Sequence, residues 1–187
     1  MKLLSVPILS LLLVQSAYAG TKTNAVVHMR QPFKVTLQVD ANEVYELVVT
    51  NETPFVLQNN VFVLPNDSFG VSVSNAADGT IAIRYEPDKR KSDLTFTLKQ
   101  HVPQEGDPIT ILTTQNKLDQ ALRFQVFKEL HNRDMPVYSG QVNAYPKIPV
   151  CTGIPGVVTS LSLFGFEFPE MPRMKEESNK PDARDGL

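Results

Sequence analysis

The sequence predicts an all-β protein, an antiparallel β-sandwich of immunoglobulin-like or related type, and three observations predict it. Apolar and polar residues alternate with a period of two through most of the chain. Turn residues interrupt the alternating runs at short, regular intervals. No stretch offers the helical crossovers that a parallel sheet requires.

The first element is not part of that sandwich. Lys2 precedes an apolar run from Leu3 to Val14, and Ala17-Tyr18-Ala19 stands before Gly20. A positive start, a short greasy core and small residues at the scission point make a secretory signal peptide over residues 1–19. The run is too short for a transmembrane span, which needs about 20 apolar residues. No Cys sits at the cleavage site, so no lipid anchor is expected. The mature chain is expected to be exported, to the periplasm or to the extracellular or cell surface, as one β-sandwich domain over 20–169.

Ala25–Met29 reads as a short first strand. Phe33, Val35, Leu37 and Val39 then alternate with Lys34, Thr36, Gln38 and Asp40. Tyr45, Leu47 and Val49 repeat the pattern after Asp40-Ala41-Asn42. Val71 and Val73 alternate with Ser72 and Ser74, and Asp78-Gly79 hands over to Ile81, Ile83 and Tyr85. Asp-Gly between alternating runs is a strong hairpin signal, because the turn needs positive φ and Gly supplies it. Leu94, Phe96 and Leu98 give one more half-buried strand, and Pro103, Gly106 and Pro108 mark the loop behind it. Leu118 to Leu130 fits a helix through Leu118, Leu122, Val126 and Leu130, and a strand through Leu122, Phe124 and Val126. Its neighbours are strands, which favours a strand over Ala121–Phe127.

After Gln141 the pairs Tyr145-Pro146, Ile148-Pro149 and Ile154-Pro155 hold the chain extended and oppose helix, so this stretch reads as a Pro-rich strap. Gly156 to Phe168 is the most apolar segment of the mature chain. Its alternation slips at Leu163-Phe164, which predicts a bulge or a change of face. Residues 170–187 are dense in charge and read as a flexible tail.

Composition excludes several function classes. Lys and Arg number 18 against 20 Asp and Glu, and no basic block stands out. The nearest, Lys89-Arg90-Lys91, is flanked by Asp88 and Asp93 and reads as a solvated turn. Nucleic acid and anionic membrane surfaces are therefore not expected partners. Cys151 is the single cysteine, so no intramolecular disulfide forms. With no cation immediately beside it, it reads as a small buried apolar residue; the sharper alternative is an intermolecular disulfide or a reactive thiol.

No chemistry-bearing constellation emerges. His28, His101 and His131 stand apart without metal-ligand spacing, so no metal or other cofactor is expected. A copper sandwich wants His close behind its Cys, and none follows Cys151. There is no Gly-x-Ser-x-Gly elbow. Ser139 before Gly140 reads as the start or bend of a strand, and His131-Asn132-Arg133-Asp134 as a polar turn. His101 near Glu105 and Asp107 has no more claim to acid–base work. Asn51-Glu52-Thr53 and Asn66-Asp67-Ser68 match the glycosylation pattern, with Pro54 disfavouring the first.

The reading that remains is an exported, non-enzymatic cell-envelope protein acting through protein–protein contacts. It would be a surface-structure subunit or a periplasmic assembly or accessory factor, with other envelope proteins or further copies of itself as partners. Leu161, Leu163, Phe164, Phe166 and Phe168 form the candidate strand-exchange or partner surface, because a terminal apolar strand can add to a neighbour's sheet edge. The same segment also suits a last core strand. In organisation the chain resembles pilus subunits and the sandwich domains that escort them. Its charged tail after Phe168 departs from a pilin that ends in its last strand, and no motif specific to either is present. The alternative is a small-ligand or glycan-binding sandwich using Gln58-Asn59-Asn60 and Asn66, residues that also suit turns. An extracytoplasmic hydrolase stands last.

Overall fold

The computed structural model describes residues 26–76 and 79–169, so the expected signal peptide, Ala25, Asp78 and the tail over 170–187 lie outside the described residues. Every described element is a strand. A short strand, β1 (Met29–Arg30), is followed by the hairpin β2 (Phe33–Gln38) and β3 (Val44–Val49), and then by three short strands. These are β4 (Thr53–Pro54), β5 (Val56–Leu57) and β6 (Asn60–Val63). Longer strands make up the rest: β7 (Ser68–Asn75), β8 (Ile81–Glu86), β9 (Leu94–His101), β10 (Ile109–Asn116), β11 (Leu122–Leu130), β12 (Val137–Ala144), β13 (Pro149–Pro155) and β14 (Val158–Glu167).

Two five-stranded antiparallel sheets dominate. Sheet one has the order β13-β10-β9-β7-β8, and sheet two the order β12-β11-β14-β6-β5. A single buried cluster takes residues from both. Phe69, Val71, Leu94, Phe96, Leu98 and Leu112 come from sheet one, and Val61, Leu122, Phe124, Leu161 and Leu163 from sheet two. The sheets therefore face each other across one core, a sandwich-like arrangement. Period-two alternation produces it, since alternate side chains leave opposite faces of a strand. Aromatic rings bridge the layers. Phe96 of β9 meets Phe124 of β11 edge-on at 5.8 Å between ring centres, and Phe124 meets Phe166 of β14 at 5.1 Å.

β2 and β3 form their own two-stranded sheet near one end of the sandwich. Gln100 of β9 ties it down with its side chain, accepting from the Gln38 backbone N–H and donating to the Gln38 carbonyl, both at 2.8 Å. An amide side chain here reproduces the bonding of a strand neighbour. The Tyr45 ring lies 5.5 Å from that of His131, at the same end.

Four readings change in detail. The segment from Leu122 is a strand, as its alternation favours, and runs on to Leu130. The Pro-rich stretch is extended but is more than a strap: Pro149–Pro155 pairs along β10 as the edge of sheet one. Proline is tolerated there because an edge residue can leave its N side unpaired. The slip at Leu163-Phe164 is a bulge located slightly later, between the pairs Gln125–Phe164 and Arg123–Glu167, where Gly165 adopts φ +64°. The expected first strand is found at Met29–Arg30 rather than Ala25–Met29.

Candidate functional site

The five residues of the predicted partner surface separate onto two faces. Leu161 and Leu163 are fully buried in the core, and Phe166 and Phe168 pack against it. Phe164 lies on the opposite, outer face. β14 is a central strand of sheet two, bonded to β11 on one side and through Leu161–Leu163 to β6 on the other.

On the outer face Phe164 belongs to a group of three rings from three strands. Phe127 of β11 lies 4.9 Å from Phe164 and 5.2 Å from Tyr138 of β12. Phe127 and Tyr138 are register partners, and Phe164 sits diagonal to Phe127. Local sequence explains the placement. Val126-Phe127 and Leu163-Phe164 are apolar doublets on adjacent strands, and in each the first residue enters the core while the second faces out. Tyr138 is 54 % exposed and Met135, in the loop before β12, is 66 % exposed. Polar groups rim the rings. Gln125 lies opposite Gln141 and Phe164, while Arg123 lies opposite Asn143 and Glu167. Arg123 Nε donates to Glu167 Oε1 at 2.6 Å, so that rim carries a closed ion pair. The centre of the patch is apolar and uncharged. Phe127 and Tyr138 were not among the predicted site residues, because strand pairing and not local sequence brings them beside Phe164.

At the end of the sandwich away from the β2–β3 hairpin lies a cleft of about 490 Å³. The β5–β6 turn contributes Asn59 and Asn60, the β7–β8 turn Gly79 to Ile81, and the end of β14 Gly165 to Phe168. Gln58 and Asn59 both have positive φ, the geometry of a two-residue hairpin turn. Asn59 Oδ1 also accepts from the Ile83 backbone N–H at 3.1 Å, stitching sheet two to the edge of sheet one. Asn66 is at the other end of β6, in the turn after Leu64, and does not join this amide group.

Cys151 contradicts its expected burial: it is exposed. In β13 the even-numbered residues turn inward, with Ile154 buried, and the odd-numbered ones face out. Its Sγ lies 3.7 Å from Thr113 Oγ1. The histidines are separate. His28 lies against Tyr85 at 4.9 Å and His131 against Tyr45, while His101 is at the exposed end of β9. Ser139 is the extra residue of a β12 bulge beside Gly140. Among the described residues no three of His, Cys, Asp or Glu gather as metal ligands. Among them, too, no helix is long and apolar enough to cross a membrane. No protein-family model matches the chain, and neither a curated protein nor a solved structure matches it.

Proposed function

We propose that this chain is an exported, non-enzymatic protein of the cell envelope that acts by holding other proteins, as a surface-structure subunit or an assembly or accessory factor. Its sandwich would be immunoglobulin-like or related. The observation that carries the reading is the Phe127–Tyr138–Phe164 cluster. The outer face of an antiparallel sheet is ordinarily polar, yet here the Phe127 ring touches both Tyr138 and Phe164 within a polar rim. Aromatic side chains and Met are enriched at the centres of protein interfaces, surrounded by polar groups that exclude water. Export is supported by the residues before Gly20. The test is made in the native host. The mature protein is expected outside the cytoplasm with Gly20 at its N-terminus, in complexes that Tyr138→Ser with Phe164→Ser disperses. A full-length protein retained in the cytoplasm overturns export, and complexes unchanged by the double substitution overturn the contact surface.

The second reading, a small-ligand or glycan-binding sandwich, is favoured by the cleft, where Phe166 and Phe168 lie beside the amides of Asn59 and Asn60. Binding of neutral oligosaccharides that is lost in Asn60→Ala and kept in Tyr138→Ser would support it over the first.

A further inference from the structure

We infer that β13 is a self-complementary edge, at which a second copy of this chain adds antiparallel and continues sheet one across a two-fold axis. This goes beyond the contact surface proposed above, because it lies on the other sheet and names the partner.

The hydrogen-bonding pattern of the edge is set by its prolines. Along an antiparallel strand, alternate residues turn both N–H and C=O toward one neighbour, and the residues between turn theirs away. Pro149 and Pro155 have no N–H to give to β10, so they occupy positions facing away from it. Cys151 and Gly153 share their parity. The Pro155 carbonyl confirms the direction, since Lys128 Nζ reaches it from the other sheet at 2.9 Å. The free edge therefore presents the N–H and C=O of Cys151 and of Gly153, with prolines on both sides.

Two such edges fit each other about a two-fold axis. With Thr152 on the dyad, Cys151 of one copy faces Gly153 of the other and each pair exchanges two bonds, four in all. A one-residue shift sets these outward groups opposite groups turned away and forms no bonded pair, and a two-residue shift puts a proline opposite Cys151 or Gly153, where one of the two bonds of that pair is lost. The prolines thus limit the addition to the residues between them. Gly153 has no side chain to meet Cys151 of the facing strand, and Thr–Thr is a favourable cross-strand pair. β13 carries no charged residue, so no like charges meet across the axis. Exposed apolar residues stand immediately before it, Tyr145 at 53 % and Ile148 at 59 %. In this register Ile148 falls opposite Gly156 of the partner, where pairing covers it.

The other edges of the two five-stranded sheets are closed by different means. β5 is only two residues long. β8 has its Ile83 N–H taken by Asn59 and carries Arg84 and Glu86. β12 is broken by its bulge at Ser139. A two-fold pairing through β13 leaves the joined copies without this edge, so assembly stops at two.

Light scattering behind size exclusion tests this on the mature protein over a concentration series in reductant. The wild type is expected to pass from monomer mass to twice that mass. Cys151→Ser is expected to behave likewise, since the pairing is through the main chain. Cys151→Pro deletes one outward N–H and no bond to β10, so it is expected to stay monomeric with an unchanged unfolding transition. Should that variant fail to fold, amide exchange in the wild type decides the matter: the Cys151 and Gly153 amides are protected at high concentration and open at low. A wild type monomeric at its highest soluble concentration overturns the proposal, as does an intact Cys151→Pro dimer or concentration-independent exchange. Tyr138→Ser leaves the pairing untouched, so failure here is distinguishable from failure of the aromatic contact surface.

Discussion

Arg30 and Asp67, far apart in the chain, form a buried ion pair at 2.7 Å that fastens the first described strand to the sandwich. Arg30 is only 5 % exposed. Its Nε donates to both Asp67 oxygens, Nη1 to the Pro54 carbonyl at 2.6 Å, and Nη2 to the Phe62 carbonyl. The guanidinium lies 4.0 Å from the centre of the Phe55 ring, and Asp67 also accepts from the Leu64 N–H at 2.6 Å. Burial pulls the Arg30 pKa below its ordinary value, and the bonds and charge of Asp67 oppose this, so the group stays charged. Arg30→Ala strands a carboxylate and two carbonyls, and is expected to cost about 3–5 kcal/mol. Arg30→Lys, with no planar fork, is expected to recover little of it. Urea denaturation of the three proteins checks both.

Phe124 and Phe127 lie on one strand with opposite tasks. Phe124 is fully buried between the sheets, and Phe124→Ala is expected to destabilise by about 3–5 kcal/mol. Phe127→Ala removes a partly exposed ring and is expected to cost about 1 kcal/mol. Equal losses in thermal unfolding would contradict the assignment of inner and outer faces.

Asn116 is fully buried and holds the turn between β10 and β11 to the end of β12. Its Nδ2 donates to the Gln120 and Ala144 carbonyls at 2.8 and 2.9 Å, and its Oδ1 accepts from the Leu118 N–H at 2.9 Å. Asn116→Ala leaves those groups without partners and is expected to cost about 3 kcal/mol. Asn116→Asp removes both donors and adds a buried charge, so it is expected to be worse and to recover partly in acid. Denaturation at two pH values separates the variants.

Asp88 gives a pH dependence of known sign. Hydrogen bonds from the Arg90 side chain and then its backbone N–H hold the carboxyl below its usual value of 3.8. Its contribution to stability is therefore fully present above that value and is lost as pH falls through the lower folded one. The site is exposed, so the effect is expected to be small and to fade in high salt. Asp88→Asn is expected to remove that small contribution at neutral pH and to flatten the acid limb of the stability curve below about pH 4.

How much of this the sequence disclosed depended on which side chains a strand turns inward. β2, β3, β7, β8, β9 and the core half of β11 put Val, Leu, Ile or Phe on one face, and their alternation is plain. β10 escaped notice because it buries Thr110, Leu112, Thr114 and Asn116, three of them polar. β12 is cut by its own bulge, and the prolines of β13 read as a strap until an edge is known to need no N–H there. Cys151 was misplaced for the same reason, since the parity of β13 decides its face. Of the five proposed surface residues only Phe164 faces outward. Its companions Phe127 and Tyr138 come from strands brought beside it by long-range pairing, which no local pattern records.

The most direct test of the proposed contact surface is photo-crosslinking in the native host from a single reactive side chain. One form places it at Tyr138, on the outer face of sheet two, and a matched form at Lys99, exposed on sheet one. Discrete protein adducts are expected from position 138 and none from 99, with loss of the adducts when Phe164→Ser is added. Equal labelling from both positions, or none from 138 in a correctly exported protein, would contradict the proposed contact surface.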